Sequence, residues 1–203
     1  YTQTGGTLTG DSDVTVNGST TWNSGVISGT GSFTAAGGLT LASSSSKSLG
    51  NAMLVNSGEA VWNGGSIFIG NNSVLLNTGT FDVQSDSDIR RSNTAGTVEN
   101  RGTWQKTAGT GESYIDRRFV NSGTLDVQTG TVDLRGGFDN FNGTTLSGGT
   151  YIVAGVLKFT SADIVANAAD VTLIGSDSRV VNQSNIDALR NLSTNELDGR
   201  LEL

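Results

Sequence analysis

The sequence predicts an all-β protein built as a β-solenoid, in which a single domain over residues 1–203 winds through coils of about 20–23 residues. Three observations predict this fold. A glycine recurs at nearly constant spacing, small or apolar residues alternate with polar ones around it, and the chain has 29 glycines but no proline. A fixed period of about 20 residues is typical of stacked repeats rather than of one globular core.

The glycine repeat sets the length of each coil. The repeat comprises Gly18, Gly37, Gly58, Gly79, Gly102, Gly123, Gly155, Gly175 and Gly199. Successive members are nearly evenly spaced, except for one long interval between Gly123 and Gly155. We expect these glycines, with Gly58, Gly79, Gly102 and Gly123 as the most regular set, to form a column where the backbone bends or approaches the opposite wall and leaves no room for a Cβ atom.

Around each glycine, every second residue is small or apolar. In the third coil these residues are Leu54, Ala60 and Trp62. Alternation at period two places them on one face of a strand, and coils stacked about 4.8 Å apart would join these faces into a narrow core. The inward parity of Trp62 and Trp104, and the match of Trp22 to Trp62 two coils later, predict that the tryptophans fill this core rather than bind sugars.

An asparagine lies two residues before four of the glycines. The four are Asn56, Asn77, Asn100 and Asn121. In stacked coils their side-chain amides would form a ladder, each donating a hydrogen bond to the next. Alternatively, the Asn-X-Gly tripeptides would only form turns. The sequence leaves both interpretations open.

Two segments depart from the repeat. The long interval between Gly123 and Gly155 predicts an enlarged coil or loop over 129–150. Residues 185–192 have apolar residues at 186, 189 and 192, which predicts one short helix or helical turn outside the rod.

Composition and charge exclude several classes of function. The 12 Lys and Arg against 19 Asp and Glu give a net charge of −7, which disfavours nucleic acid as a partner. No apolar run approaches the length of a membrane span, so we expect no direct membrane insertion. The chain has no histidine and no cysteine, which excludes Ser-His-Asp and Cys-His catalysis and disfavours a zinc site. No cofactor is expected.

The coils carry a family resemblance. Residues 22–31, with the sequence WNSGVISGTG, and residues 121–127, with NSGTLDV, resemble the β-strand repeats of bacterial autotransporter passenger domains and filamentous-haemagglutinin-like surface proteins. The resemblance covers nearly the whole chain. It implies a right-handed parallel β-helix on an extracellular polypeptide, at the bacterial cell surface or secreted. It also implies that the chain is an internal fragment of a longer exported protein, next to further coils of that protein.

Two arginine pairs are the only concentrated positive charge. Arg90-Arg91 and Arg117-Arg118 could bind sulfate or carboxylate groups of an acidic glycan through the fork of the guanidinium. Counted to the next glycine of the repeat, Arg91 lies more than twice as far from its glycine as Arg118 does. Different registers indicate different faces or strand ends, unless the loop between them folds back. The alternative interpretation is a solvated rim that offsets nearby carboxylates.

Carboxylates supply the other candidate sites. Asp82 and Asp126 share a register, three residues after Gly79 and Gly123, and two coils would separate them by about 10 Å. That separation is close to the one between the carboxyl groups of inverting glycosidases. Two Asp-Ser-Asp tripeptides, at 11–13 and 86–88, could contact calcium, but each supplies few of the six to eight oxygens that the ion requires.

The sequence therefore predicts a non-enzymatic structural or adhesive segment, a rigid rod that presents a binding surface to a glycan or to a host or matrix surface. One alternative is a β-helix that binds or cleaves polysaccharides. A second is an ice-binding solenoid, which requires Thr-X-Thr at one register over many coils. Thr7-Leu8-Thr9 has that pattern, but the following coils do not repeat it.

Overall fold

The computed structural model describes residues 1–93 and 95–203, and in these residues the chain is an all-β solenoid of three sheets with parallel strands stacked coil upon coil. Sheet A contains β1 (Thr2–Gln3), β4 (Thr20–Trp22), β7 (Leu39–Leu41), β10 (Glu59–Trp62), β13 (Thr80–Val83), β16 (Thr103–Lys106), β19 (Thr124–Val127), β21 (Phe141–Asn142), β22 (Thr145–Val153), β24 (Ala166–Leu173), β26 (Thr194–Asn195) and β27 (Arg200–Glu202). Sheet B contains β2 (Thr7–Thr9), β5 (Gly25–Ser28), β8 (Lys47–Gly50), β11 (Ile67–Gly70), β14 (Ile89–Arg91), β17 (Glu112–Ile115), β20 (Thr131–Leu134), β23 (Val156–Phe159) and β25 (Arg179–Val181). Sheet C contains β3 (Val14–Val16), β6 (Ser32–Ala35), β9 (Met53–Asn56), β12 (Ser73–Asn77), β15 (Gly96–Asn100) and β18 (Arg118–Asn121).

Each coil contributes one strand to sheet A, and in the central coils these strands stay in register. Ala60, Phe81, Trp104 and Leu125 occupy equivalent positions in four successive coils. All four are buried. The solenoid predicted from the sequence is confirmed, and the spacing of these residues along the chain agrees with the predicted coil length.

Aromatic side chains fill the middle of the core. The rings of Phe81 and Trp104 stack with centroids 4.2 Å apart and planes 4° from parallel. Trp62 packs edge-on against Phe81 at 6.1 Å, and Phe119 packs edge-on against Trp104 at 6.0 Å. Such pairs stabilise a fold by about 0.5–1.5 kcal/mol beyond the area that they bury. Trp22, Trp62 and Trp104 are at most 1% exposed, so the tryptophans belong to the core.

The glycine column lies at the corner between sheets C and A. A Cβ atom on Gly79, Gly102 or Gly123 would overlap the carbonyl oxygen of the glycine one coil earlier. Of the two alternatives that we expected, the column lies where the backbone bends, and the Cβ atom is excluded by the neighbouring coil and not by an opposite wall. This contact excludes every side chain at these positions, because both of its partners are backbone.

The column departs from the predicted glycine repeat after Gly123. Thr124 pairs with Thr150, so Gly149, the residue before Thr150, takes the position after Gly123 in the column. The expectation that Gly155 belongs to the column is therefore wrong. Gly155 lies instead at the corner between sheets A and B, where an added Cβ would overlap the backbone of Gly130. Gly175 also follows the end of a sheet A strand and is outside the column. The inserted residues of the preceding coil shift the register, which a count from glycine to glycine cannot detect.

Two buried lysines close the corner between sheets A and B. The Nζ of Lys47 donates to the carbonyl oxygens of Ser45 and Gly64, each at 3.0 Å. The Nζ of Lys106 lies 2.8 Å from Oδ1 of Asp86. Both lysine side chains are fully buried. Burial lowers the pKa of Lys47 to about 8, because the charged form loses its hydration. These ammonium groups donate hydrogen bonds to turn carbonyls that face the interior.

Residues 129–150, where we expected an enlarged coil, contain a short antiparallel hairpin. Phe141 pairs with Leu146 and Asn142 with Thr145, so β21 folds back on the start of β22. The turn at Gly143 has a positive φ of 66°. The start of β22 also pairs with Ala166–Ala168 of β24, so the hairpin adds to sheet A.

Residues 185–192 contain an antiparallel bridge at Asp187 and a hydrogen-bonded turn over 188–191. The described parts of the chain contain no helix, so of the predicted short helix or helical turn the helix is wrong. The residues just before the segment and at its start explain why no helix forms. Oδ1 of Asn182 accepts hydrogen bonds from the backbone N–H groups of Ser184 and Ile186, and Asn185 has a φ of +58°. These features compete with helical hydrogen bonds. Ala188 is fully buried, and its N–H donates to Val180, which ties the segment to the end of the solenoid.

Candidate functional site

The four asparagines two residues before the glycine column form a hydrogen-bonded ladder. Nδ2 of Asn56 donates to Oδ1 of Asn77 at 2.8 Å, and the same bond at the same distance joins Asn77 to Asn100 and Asn100 to Asn121. All four side chains are buried. We call Asn56, Asn77, Asn100 and Asn121 the asparagine ladder. It hydrogen-bonds buried amides to one another and cross-links four coils, so it stabilises the stack.

The ladder has a defined direction and an open end. Each amide donates toward the C-terminal end of the rod, so Oδ1 of Asn56 would need a donor from the coil before it. Ala35 pairs with Asn56 at that position and has no donor in its side chain. Oδ1 of Asn56 is accordingly a buried acceptor without a partner.

The structure brings three of the four predicted arginines together. Arg91, Arg117 and Arg118 line one cleft at the corner between sheets B and C. Arg90 points elsewhere, onto the outer face of sheet B, where it bonds Asp88 at 3.0 Å and its guanidinium lies 5.6 Å from the ring of Tyr114.

We call this corner the arginine cleft. Its volume is about 370 Å³, and it is lined by Arg91, Asn93, Ala95, Gly96, Asp116, Arg117, Arg118 and Gly136. Arg91 bonds Asp116 at 3.0 Å. Arg118 binds both carboxylate oxygens of Asp139 through Nε at 2.9 Å, and its Nη2 adds a further bond. Two of the three guanidinium groups thus have carboxylate partners within the chain.

Arg117 differs from its two neighbours. The residue is only 5% exposed, and its Nε and Nη2 atoms are buried without a hydrogen-bond partner. Burial and the charge of Arg91 lower the pKa of Arg117, and Asp116 opposes them. A buried guanidinium with an unfilled fork is costly, so this group is the most unusual feature of the cleft.

The number of residues from each arginine to the next glycine does not show that Arg91 and Arg118 share a corner. The connection from β14 to β15 spans residues 92–95, whereas the connection from β17 to β18 spans only 116–117. The longer connection adds only part of the difference, and most of it arises because Arg91 ends β14 whereas Arg118 begins β18, on the two sides of the same corner of the solenoid. The interval between Gly79 and Gly102 is longer than the intervals on either side of it, and this is the signal in the sequence that reports the insertion.

The structure also aligns Asp82 and Asp126, the two carboxylates that a polysaccharide-cleaving β-helix would use. Asp82 pairs with Gln105, and Gln105 pairs with Asp126, so the two aspartates share a column on the outer face of sheet A. Asp82 accepts hydrogen bonds from Gln84 at 2.8 Å and from Thr107 at 2.6 Å. These contacts hold one carboxylate against its own coils, and Gln105 fills the space between the two.

The Asp-Ser-Asp tripeptides contact neighbouring coils. Asp11 accepts hydrogen bonds from the backbone and hydroxyl of Thr30, and Asp13 accepts the same pair from Ser32. These bonds lower the pKa of both carboxyl groups. In the second tripeptide, Asp86 binds Lys106. Within residues 1–93 and 95–203, no group of three or more His, Cys, Asp or Glu side chains could hold a metal ion.

A threonine column bears on the ice-binding alternative, and the sequence argument missed it. Thr80, Thr103, Thr124 and Thr150 pair in succession along sheet A. The neighbouring outward column contains Asp82, Gln105, Asp126 and Ile152. The face therefore has one row of threonines where the ice-binding pattern needs two.

Comparison of the chain with models of known protein families, with curated proteins and with solved structures found no match. The resemblance to autotransporter passenger domains and filamentous haemagglutinins therefore stays a prediction from the sequence. Among the residues described, no helix has the length and apolar character needed to cross a bilayer.

Proposed function

We propose that the chain is a non-enzymatic structural and adhesive segment of an exported bacterial surface protein, a rigid rod that presents a binding surface. The observation that carries this proposal is the stack itself. Sheet A continues without a break from β1 to β24, with one strand from each coil. At about 4.8 Å per coil, nine coils span about 40 Å.

The core supports the mechanical part of the proposal. The asparagine ladder and the aromatic stack of Phe81 and Trp104 join successive coils with directional contacts. A stack in which each coil contacts mainly its neighbours extends without a change of architecture. Such a scaffold suits a protein that must hold a site at a distance from an anchoring point.

The sequence resemblance supports a location at the cell surface or outside the cell.

The arginine cleft supports an acidic partner. The cleft places three arginines at one corner of a chain whose net charge is −7. Local positive charge on an acidic protein favours a partner that carries carboxylate or sulfate groups, and acidic glycans of host or matrix surfaces have that chemistry.

An array of glycans and matrix proteins tests the adhesive role. We expect the purified chain to be retained on a subset of acidic glycans. The double substitutions Arg90→Gln/Arg91→Gln and Arg117→Gln/Arg118→Gln locate the face responsible. Retention on no surface at low ionic strength would contradict the adhesive role, and degradation of a polysaccharide at useful rates would contradict the non-enzymatic one.

A polysaccharide-cleaving solenoid is the second candidate, because Asp82 and Asp126 lie in one outward column two coils apart. If these carboxylates act as acid and base, Asp82→Asn and Asp126→Asn will each abolish cleavage of a polysaccharide that the chain degrades. An observed activity that survives both substitutions would dispose of this candidate.

A further inference from the structure

The outer face of sheet C has an apolar patch at its centre. Buried and partly exposed residues alternate along β9 and β12, the middle pair of strands, so each directs two side chains outward. The four side chains are those of Met53, Val55, Val74 and Leu76. Val74 pairs with Met53 and Leu76 with Val55, so the four lie together, and Met53 is 38% exposed. An apolar patch with polar surroundings is typical of a contact with another macromolecule.

Polar and charged residues continue the two outward columns on both sides of the patch. The first column contains Asp13, Ser32, Met53, Val74, Thr97 and Arg118 in successive coils. The second contains Thr15, Thr34, Val55, Leu76, Glu99 and Val120. The first column therefore has a carboxylate at one end, a guanidinium at the other and two apolar residues midway. A column with this order is complementary to its own reverse.

Both charged ends of the first column can accept a further partner. Arg118 binds Asp139 through Nε and Nη2, and its side chain is still 59% exposed. Its Nη1 atom has no hydrogen-bond partner among the residues that the structure describes. Asp13 is exposed, and both of its bonds to Ser32 end on Oδ1, so in the described chain Oδ2 remains available. Each group can thus form an ion pair with a second molecule.

We propose that sheet C is the interface of an antiparallel homodimer, in which the outer faces of two copies pack against each other. The two-fold axis runs along the strands, between β9 and β12, and reverses the order of the coils. It places Asp13 of each copy opposite Arg118 of the other, and Met53 of each opposite Val74 of the other. Parallel rods would align identical coils and leave Asp13 five coils away from Arg118. The charges therefore favour the antiparallel arrangement.

The size of the face sets the expected strength of the dimer. Six strands spaced by about 4.8 Å span about 24 Å, and two columns of side chains face outward. Such a contact is smaller than a standard stable interface, so we expect a weak dimer that dissociates on dilution. The inference goes beyond the proposed function, because the partner is a second copy of the chain and not a glycan or a matrix protein.

Sedimentation equilibrium of the purified chain, from about 1 µM to about 1 mM, tests for the dimer. We expect the average mass to rise with concentration from 20.9 kDa toward twice that value. A monomer over the whole range, or growth beyond a dimer, would overturn the proposal.

Charge reversal tests the arrangement of the two copies. Asp13→Arg and Arg118→Asp each create two like-charge contacts across the axis, and each should weaken dimerisation at least about tenfold. An equal mixture of the two variants should regain the dimer, since each reversed charge then meets its opposite. Arg200→Asp is the matched control on sheet A, where Arg200 is also 59% exposed and also binds an aspartate, and it should have no effect. No recovery in the mixture, or an equal loss in the control, would refute the antiparallel interface.

A second pair of variants tests the apolar centre. Val74→Lys places two like charges close to the axis and should weaken dimerisation at least about tenfold. Val61→Lys changes a partly exposed valine on the outer face of sheet A and should leave the dimer intact. The same effect in both variants would show that the copies do not meet through sheet C.

Discussion

At the scale of single residues, several buried polar side chains of this protein are hydrogen-bonded to neighbouring coils. Asn77 illustrates the arrangement, because it accepts a hydrogen bond from Asn56 and donates one to Asn100. Asn56 has the same donor bond but an unpartnered Oδ1. The position of an asparagine in the ladder should therefore decide what its removal costs.

Substitution of Asn77 by alanine should lower the free energy of unfolding more than substitution of Asn56, by about 1–3 kcal/mol. Each substitution leaves Oδ1 of the next asparagine without its donor, but Asn77→Ala breaks two ladder bonds, whereas Asn56→Ala breaks one and also removes an acceptor that is already unpaired. Denaturant unfolding of both variants measures the difference. Equal losses would show that the ladder bonds add nothing beyond side-chain packing.

Lys47 should give the protein a pH-dependent stability. Its pKa falls from 10.5 to about 8 in the folded state, so between these values the unfolded chain binds more protons than the folded one. The contribution of Lys47 to the free energy of unfolding should therefore rise from pH 8 to pH 10.5 and be least favourable below pH 8. The difference in unfolding free energy between the protein and Lys47→Met, measured across this range, isolates the effect. A difference that is constant with pH would contradict it.

The alignment of the asparagines could be predicted from the sequence, but the burial of the lysines could not. The amides repeat at one register, so their alignment could be seen in the sequence. Lys47 and Lys106 occur once each at unrelated positions, and a lysine is ordinarily exposed. Their burial depends on turn carbonyls that face the interior only after the coils have stacked.

At the scale of strands and turns, the glycine column controls how closely coils approach. The backbone of Gly102 rests on that of Gly79, and a Cβ atom would overlap it. Gly18 belongs to the same predicted repeat, but nothing lies within 4 Å of the Cβ atom that it would carry. The two positions therefore make a matched pair.

We expect Gly102→Ala to destabilise the protein by at least about 1–3 kcal/mol, because neither backbone can move without separating two coils. Gly18→Ala should be neutral or slightly stabilising, since it reduces the freedom of the unfolded chain without a clash. Thermal unfolding of the two variants gives the comparison. Similar behaviour at both positions would contradict the close approach of the coils.

The strands were predictable and the connections were not. Alternation of small and polar residues indicates strand faces directly, as it does for Ala60 and Trp62. The predictions for Gly155 and residues 185–192 were wrong because local patterns there do not record the register of the coil below. The hairpin of β21 and β22 shifts the register, and Asn182 and Asn185 replace a helix with turns.

At the scale of the whole molecule, the architecture depends on direct stacking of successive coils. Stacking brings Arg91 next to Arg117, aligns Asp82 with Asp126 and makes the chain a rod. The sequence predicted the stack. It could not predict the arginine cleft, because that site joins connections of different lengths in adjacent coils.

Distances between spin labels along one outward column of sheet A test the stacking most directly. The chain has no cysteine, so labelled cysteines can be placed at Thr21 and, in separate variants, at Asp126, Ile152 or Thr172. These three positions lie five, six and seven coils beyond Thr21 in the column. The account predicts electron–electron distances near 24, 29 and 34 Å, a rise of about 4.8 Å for each added coil. Distances that do not increase in this order would contradict it.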